Sequence, residues 1–418
     1  MSRRASSLLT RGGSLGSGLL VAALFGGLLA VGLIGGPTSS PSVPTPAPTA
    51  SPTSGGLVPS AIADVHPPDS PFAPDATTIA SCAVSDTECL IQGYANLAYA
   101  DGPKAAIATL AAETREPVIF ACHQISHRIG AAAIAANGDR AGAAFVAGDS
   151  TCASGYYHGV LQHAFLGVDL GNLDEIGRRA GEICTDPQIQ ATGYLAFQCG
   201  HGLGHGLLIA TGYDLPMAIE ACGALPNALE REWCASGVHM ENFTPSYGRQ
   251  TAWVDAVDFR YPCTVLRPDQ GKASCYNLVP IRAIEGSNQR WEAVADACVR
   301  AEVDYQATCF EGMGLQVQGR IRSPQEALDL CAIAGTAAQR CVDGVALSFV
   351  NRDANGREAL RVCALVADSP AREACSMSVG SALRTVVTTP AAAVALCDDS
   401  LLPETASERD ACRRGADR

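Results

Sequence analysis

Eighteen cysteines, all after residue 81, constrain this 418-residue chain more than any other feature. The first members of successive close pairs lie 38, 41, 35, 33, 32 and 34 residues apart. A period in the thirties is typical of arrays of two-helix repeats. The pairs are Cys184/Cys199, Cys222/Cys234, Cys263/Cys275, Cys298/Cys309, Cys331/Cys341, Cys363/Cys375 and Cys397/Cys412.

The sequence around each pair predicts two antiparallel helices joined by a disulfide. Apolar helical segments at 327–331 and 359–363 end at the first cysteine, and a second helix such as 341–350 opens at the other cysteine. Two such cysteines lie at the same end of the helix pair, within bridging distance. We therefore predict consecutive local disulfides from Cys184 to Cys412. The even cysteine count also indicates an oxidising compartment.

Two further observations concern the repeats. Cysteines 82, 89, 122 and 152 depart from the spacing, and their pairing stays open.

A glycine recurs three residues after the second cysteine of most pairs, which predicts close approach of helix backbones because glycine inside a helix is otherwise unfavourable. The glycines are Gly155, Gly202, Gly237, Gly312, Gly344 and Gly415. The predicted fold class is all-α: an α-solenoid of disulfide-stapled two-helix repeats over residues 81–418.

The N-terminal residues predict a membrane anchor that tethers this domain. Residues 15–34 are twenty uncharged and mostly apolar residues, which as a helix span about 30 Å, the thickness of a bilayer core. Three arginines precede them, so the positive-inside rule places residues 1–13 in the cytoplasm as a short basic tip. The prediction is a single-pass protein of the cell membrane, anchored through residues 14–36. The alternative is a cleaved signal peptide and a secreted protein.

Residues 37–80 hold 11 of the 24 prolines, with serine and threonine between them. Such a composition cannot bury enough apolar surface to fold, so it predicts a disordered stalk between the membrane and the folded domain. Cysteines confined to the region beyond this stalk place that domain outside the cytoplasm. The alanine-, glycine- and arginine-rich usage is typical of a bacterial chain with high genomic GC content.

Charge and motifs exclude several function classes. The chain has 29 Lys and Arg against 42 Asp and Glu, a net charge of −13, and a nucleic-acid partner is excluded because phosphate binding requires cationic surface. The sequence has no Walker A motif, dinucleotide fingerprint or H-E-x-x-H. Whether the protein is an enzyme is left open.

Histidines are concentrated in one part of the chain, about residues 115–245. Seven of the eight lie between positions 123 and 239. His123 and His127 are four residues apart, as are His201 and His205. Side chains at this spacing share one helix face, and two imidazoles placed so can reach one cation. The sequence therefore predicts a metal site.

The position of each histidine within its repeat strengthens this prediction. His158 and His205 each lie six residues after a cysteine of their repeat, and equivalent positions of adjacent repeats are neighbours in a solenoid. His239 lies five residues after Cys234, and Glu241 offers an oxygen ligand. His163, five residues beyond His158, is expected in the core or at the surface instead. The predicted metal ligands are His123, His127, His158, His201, His205, His239 and Glu241.

Imidazole ligands with one carboxylate suit Zn, Cu or Fe. Disulfide-bonded cysteines have no thiolate to offer, and no C-x-x-C-H haem attachment motif is present, so only a b-type haem is kept as a less favoured cofactor. The predicted function is a membrane-anchored extracytoplasmic helical-repeat protein with a polyhistidine metal site of redox or hydrolytic role. The alternative is a metal-free solenoid scaffold that binds a protein or peptide partner on its repeat face at the cell surface. Convergence of the histidines distinguishes the two.

Overall fold

The structure of the chain is a computed structural model that describes a defined set of its residues. The predicted basic tip, the predicted anchor at 14–36 and the stalk up to residue 56 lie outside that set. Among the residues described, there is no helix with the length and apolar character that crossing a bilayer requires. The described residues are 57–66, 71–138, 140–149, 151–152, 154–166, 168, 172–191, 193–317, 320–321, 323–353, 355–387, 389–398 and 405–417.

The described chain is mostly helical, which confirms the predicted all-α class. Nineteen α-helices are found over these ranges, together with a two-stranded antiparallel ribbon of β1 (Asp64–Val65) and β2 (Gly248–Gln250). The helices are α1 (Thr87–Asp101), α2 (Pro103–Ala111), α3 (Glu116–Phe120), α4 (Cys122–Ala136), α5 (Ala141–Val146), α6 (Gly155–Ala164), α7 (Leu173–Cys184), α8 (Gly193–Ala210), α9 (Leu215–Gly223), α10 (Ala228–Phe243), α11 (Lys272–Gly286), α12 (Trp291–Val299), α13 (Gln306–Leu315), α14 (Pro324–Ala332), α15 (Ala338–Asp353), α16 (Arg357–Leu365), α17 (Ser369–Val386), α18 (Pro390–Cys397) and α19 (Ala406–Asp417).

Many helices begin where the sequence carries a local start signal. Asp214, Ser323, Asp368 and Thr389 each cap a helix by accepting a hydrogen bond from a backbone N–H of its first turn, and each is followed by proline at the first or second helical position. A side-chain oxygen satisfies an otherwise unpaired N–H there, and proline fits because it has no N–H to lose. The boundaries of α9, α14, α17 and α18 are therefore set by a few residues.

All seven predicted disulfides are present, with Cα–Cα distances of 5.3–5.7 Å. Two more bonds, Cys82–Cys89 and Cys122–Cys152, settle the pairing that the sequence left open. In the seven predicted pairs the second cysteine lies inside its helix and does not open it, since the start signals stand upstream: α17 begins six residues before Cys375. Cys263 is also irregular, because it lies in a short 3₁₀ turn.

The helices that carry the second cysteines from Cys199 to Cys412 pack against one another in chain order, and α4 and α6 precede them in the same series. The series α4, α6, α8, α10, α11, α13, α15, α17 and α19 has each member in contact with the next. Buried apolar side chains from Phe72 to Ala416 form one continuous cluster along this series. Neighbouring disulfide-linked helix pairs are therefore joined mainly through their second helices.

Glycines allow these second helices to touch backbone to backbone. A Cβ added at Gly237 in α10 would overlap the carbonyl oxygen of His201 in α8, and one at Gly344 in α15 would overlap that of Glu311 in α13. Gly415 in α19 meets the carbonyl of Met377 in the same way. The close approach of helix backbones that the sequence predicts at these glycines is confirmed.

Candidate metal centre

Helix α4 carries the first histidine pair. His123 and His127 lie one turn apart, and their Nε2 atoms are 2.9 Å from each other. His123 Nδ1 donates a hydrogen bond of 2.8 Å to the carbonyl oxygen of Cys152. His127 Nδ1 lies 2.9 Å from the amide nitrogen of Gln162. Both rings therefore direct Nε2 toward the same point, and each is fixed by a contact at Nδ1 on the opposite side of the ring.

Helix α8 carries the second pair in the same arrangement. The Nε2 atoms of His201 and His205 are 3.2 Å apart. His201 Nδ1 lies 3.0 Å from the Ser236 hydroxyl, and His205 Nδ1 donates to a carboxylate oxygen of Glu241 at 2.8 Å. Both partners come from α10, which packs on α8.

His158, on α6 between α4 and α8, joins the two pairs. Its ring centroid is 5.4 Å from those of both His123 and His127. It is 5.3 Å from the ring of His201 and 4.4 Å from that of His205. The close approach depends on Gly159, where a Cβ would overlap the backbone of α4.

The five histidines form two overlapping groups of three. In each group the ligand atoms lie within 4.8 Å of one another, and the groups are His123/His127/His158 and His158/His201/His205. The second group is buried, whereas His123 and His127 are partly exposed. Each group could hold a metal ion, because three converging imidazole nitrogens are a common ligand set.

Glu241 contacts this cluster through the outer nitrogen of His205. Its carboxylate is wholly buried and also accepts hydrogen bonds from the Tyr213 hydroxyl, from the Ser246 backbone N–H and from the Ser246 hydroxyl, at 2.6–2.8 Å. With both oxygens engaged, the carboxylate is placed to orient the imidazole of His205 and lies behind it, not among the converging nitrogens.

His239 and His163 lie outside both groups. His239 Nε2 donates to the carbonyl oxygen of Gln270 at 3.0 Å. It follows Cys234 by five residues where His205 follows Cys199 by six, and one residue turns a helical side chain by about 100°. His163 Nδ1 donates to the carbonyl oxygen of Gly159 one turn earlier.

Several contacting residues could not be recognised from the sequence. Met240 Sδ lies 3.4 Å from His201 Nε2. Gln162 and Ser246 are 2.9 Å apart and link His127 to Glu241. Met240 stands beside Glu241, but a single methionine in a helix carries no ligand signal, and the position of Ser246 depends on how the chain turns after α10.

Burial keeps the five rings neutral. It is the main cause that lowers the pKa of His123, and that holds the pKa of His127, His158 and His201 well below 6.5. Burial lowers the pKa of His205 to about 3. The same loss of hydration raises the pKa of Glu241 to about 7, against the hydrogen bonds from Ser246 and Tyr213. Neutral imidazole is the form that binds metals.

Comparison with protein-family models, with curated proteins and with solved structures gives no match to this chain. The geometry of the histidines is therefore the guide to what the protein does.

Proposed function

We propose that the protein is an extracytoplasmic helical protein whose histidine cluster binds a transition metal ion, either Zn, Cu or Fe. The main observation in support of metal binding is that five histidines converge from three helices packed side by side. They are His123, His127, His158, His201 and His205. A tetrahedral ion with bonds of 2.0–2.1 Å separates its ligand nitrogens by roughly 3.3 Å. The Nε2–Nε2 distances of 2.9 and 3.2 Å are close to that value.

The hydrogen bonds behind the rings support this function. His123 and His205 donate their Nδ1–H to oxygen acceptors, so the Nε2 of each carries a lone pair directed into the cluster. A histidine ligand normally donates its other ring N–H to a carbonyl or carboxylate, which fixes the tautomer and the ring orientation. The pair of Glu241 and His205 has this carboxylate–histidine arrangement.

Met240 favours copper among the candidate metals. Its thioether lies 3.4 Å from His201 Nε2, which in turn is 3.2 Å from His205 Nε2. These separations suit three ligands of one ion, and a thioether is a soft ligand that copper accepts more readily than Zn or Fe. A b-type haem is disfavoured, because the direct nitrogen–nitrogen contacts leave no space for a haem plane between paired rings.

The finer architecture and location are part of the same proposal. We infer that residues 81–418 form an α-solenoid, supported by the contacts of each second helix with the next. Nine disulfides support an oxidising compartment for this domain, and the apolar residues 14–36 would tether it to the membrane. Protease treatment of spheroplasts should release the domain and leave the anchor. A mature protein that begins near residue 37 would show a cleaved signal instead.

Elemental analysis of the purified protein tests the metal site. The wild type should contain or take up Zn, Cu or Fe, and His205→Ala and His127→Ala should each lower the metal content. His163→Gln is the matched control, since His163 is also buried but lies outside both groups. A wild type that takes up none of the three metals would contradict the proposal and favour a metal-free scaffold for a protein or peptide partner.

A further inference from the structure

His158 differs from the other four histidines of the cluster in how its ring is held. Its Nδ1 is buried and has no hydrogen-bond partner among the described residues. In His123, His127, His201 and His205 the Nδ1 atom is occupied by Cys152, Gln162, Ser236 and Glu241 respectively. A buried nitrogen without a partner is costly, so its retention at the centre of a ligand cluster points to a second ligand function.

His158 is also the one histidine that both groups contain. An ion with bonds of 2.0–2.1 Å holds even opposite ligand atoms no more than about 4.2 Å apart. The ligand atoms are mutually close within each group of three, but the five histidines do not form one such group in the described part of the chain. The ring centroids of His127 and His205, on either side of His158, are 6.4 Å apart.

We propose that the cluster is a two-metal centre, with one ion in each group and the imidazolate of His158 as the bridge between them. This inference rests on the proposed metal-binding function. The neutral ring of His158 carries one N–H, and both of its nitrogens become ligands. One proton is therefore released to water when the second ion binds, and no oxidant or reductant is required.

The two ends of this centre are chemically different. The ion at His201 and His205 is buried and has the Met240 thioether within reach, which completes four protein ligands with His158. The ion at His123 and His127 has three nitrogen ligands and lies on the partly exposed side. Four protein ligands are typical of a closed site, and three leave a position for water or another small ligand. The structure thus assigns exogenous ligand binding to the His123/His127 end.

Copper(II) loading of the metal-stripped full-length protein tests the proposal. Metal analysis should give two copper ions per chain. Paramagnetic resonance should show far less signal than two isolated ions would give, because an imidazolate couples the two spins. His123→Gln should halve the copper content to one per chain and restore the signal of an isolated ion. His163→Gln, outside the cluster, should leave both readouts unchanged.

The outcomes separate this inference from the function on which it rests. If the wild type takes up neither copper nor Zn or Fe in the same assay, the proposed function itself is overturned, whereas uptake of Zn or Fe without copper overturns only the copper centre. One copper per chain would leave that function standing and overturn the two-metal centre. Two copper ions with the full signal of uncoupled spins would overturn the His158 bridge. Azide added to the loaded wild type should shift the copper absorption, and the same shift in His123→Gln would place the open position at the wrong end.

Discussion

At the scale of single residues, the side chain of Glu241 holds the imidazole of His205 in its orientation. The carboxylate accepts hydrogen bonds from three donors besides His205, namely the Tyr213 hydroxyl and the backbone N–H and hydroxyl of Ser246. Every donor present is thus matched by one of the acceptor sites of a carboxylate. An amide in its place would turn an N–H₂ group toward at least one of these donors.

Glu241→Gln should therefore weaken metal binding without removing a ligand. Loss of the hydrogen bond to a ligating histidine typically costs 10–100-fold in affinity, and we expect a loss of about that size. Competition against a chromophoric chelator measures it. Glu182→Gln is the control, because Glu182 pairs with Arg178 at the exposed surface. Unchanged affinity in Glu241→Gln would show that the carboxylate does not orient His205.

Residue spacing predicted that the five histidines of the cluster converge. It could not predict the residues around them, because their contacts depend on how distant helices pack. The helical period brings His123 to His127 and His201 to His205, and the repeat register brings His158 beside His205. The same register rule failed to bring His239 among them, because a shift of one residue turns the side chain toward Gln270. Contacts of Gln162 and Met240 come from helices distant in sequence, and no local pattern encodes them.

At the scale of helices, the glycine crossings bring neighbouring disulfide-linked helix pairs into direct backbone contact. Reciprocal pairs occur: Gly204 meets the carbonyl of Cys234 while Gly237 meets that of His201, and Gly314 with Gly344 repeats the arrangement between α13 and α15. The sequence revealed this interface because the glycines recur at a fixed distance from cysteine. It could not give the exact helix starts, which depend on capping residues such as Asp368.

Gly344→Ala should destabilise the protein. The new methyl group would overlap the carbonyl oxygen of Glu311, which belongs to rigid helix backbone, so we expect a loss of about 1–3 kcal/mol or more in the free energy of unfolding. Gly181→Ala in α7 is the matched control, since no atom lies within 4 Å of the added carbon. It should stabilise by about 0.5–1 kcal/mol. Chemical denaturation of both variants checks the signs, and equal effects would contradict the crossing.

Removal of one disulfide should destabilise mainly the two helices that it joins. The Cys331–Cys341 bond closes a loop with a sequence separation of 10, which in the chain-entropy model stabilises by roughly 3 kcal/mol. In the double variant Cys331→Ala and Cys341→Ala, amide hydrogen exchange should accelerate most in α14 and α15. The histidine helices α4, α6 and α8 should change little, because the main contacts of α14 and α15 are with each other and with α13, α16 and α17. Uniform acceleration over the chain would indicate one cooperative unit instead.

At the scale of the whole molecule, buried histidines make folding sensitive to acid. Seven of the eight histidines have a pKa lowered chiefly by burial, including His163 and His239, each to about 4. Below pH 6.5 the unfolded chain therefore binds protons that the folded chain refuses. Glu241 acts in the opposite sense, since its pKa is raised from 4.5 to about 7 and the folded chain holds the extra proton between these values. Burial also raises the pKa of Glu285 and of Glu311, so three carboxyl groups oppose seven histidines and the histidines decide the sign.

The metal-free protein should consequently lose stability as the pH falls from 6.5 toward 4. Each net proton bound by the unfolded chain lowers the free energy of unfolding by about 1.4 kcal/mol per pH unit, and several such protons exceed the roughly 5–15 kcal/mol that hold an ordinary domain together. Urea midpoints of the chelator-treated protein between pH 7.5 and 4 measure the slope. His163→Gln should reduce that slope by about one proton, because its ring lies outside the metal-binding groups and titrates only through its burial. A midpoint that stays level across this range would show that the rings of the folded protein take up protons in place, as they would if water reached the cluster freely.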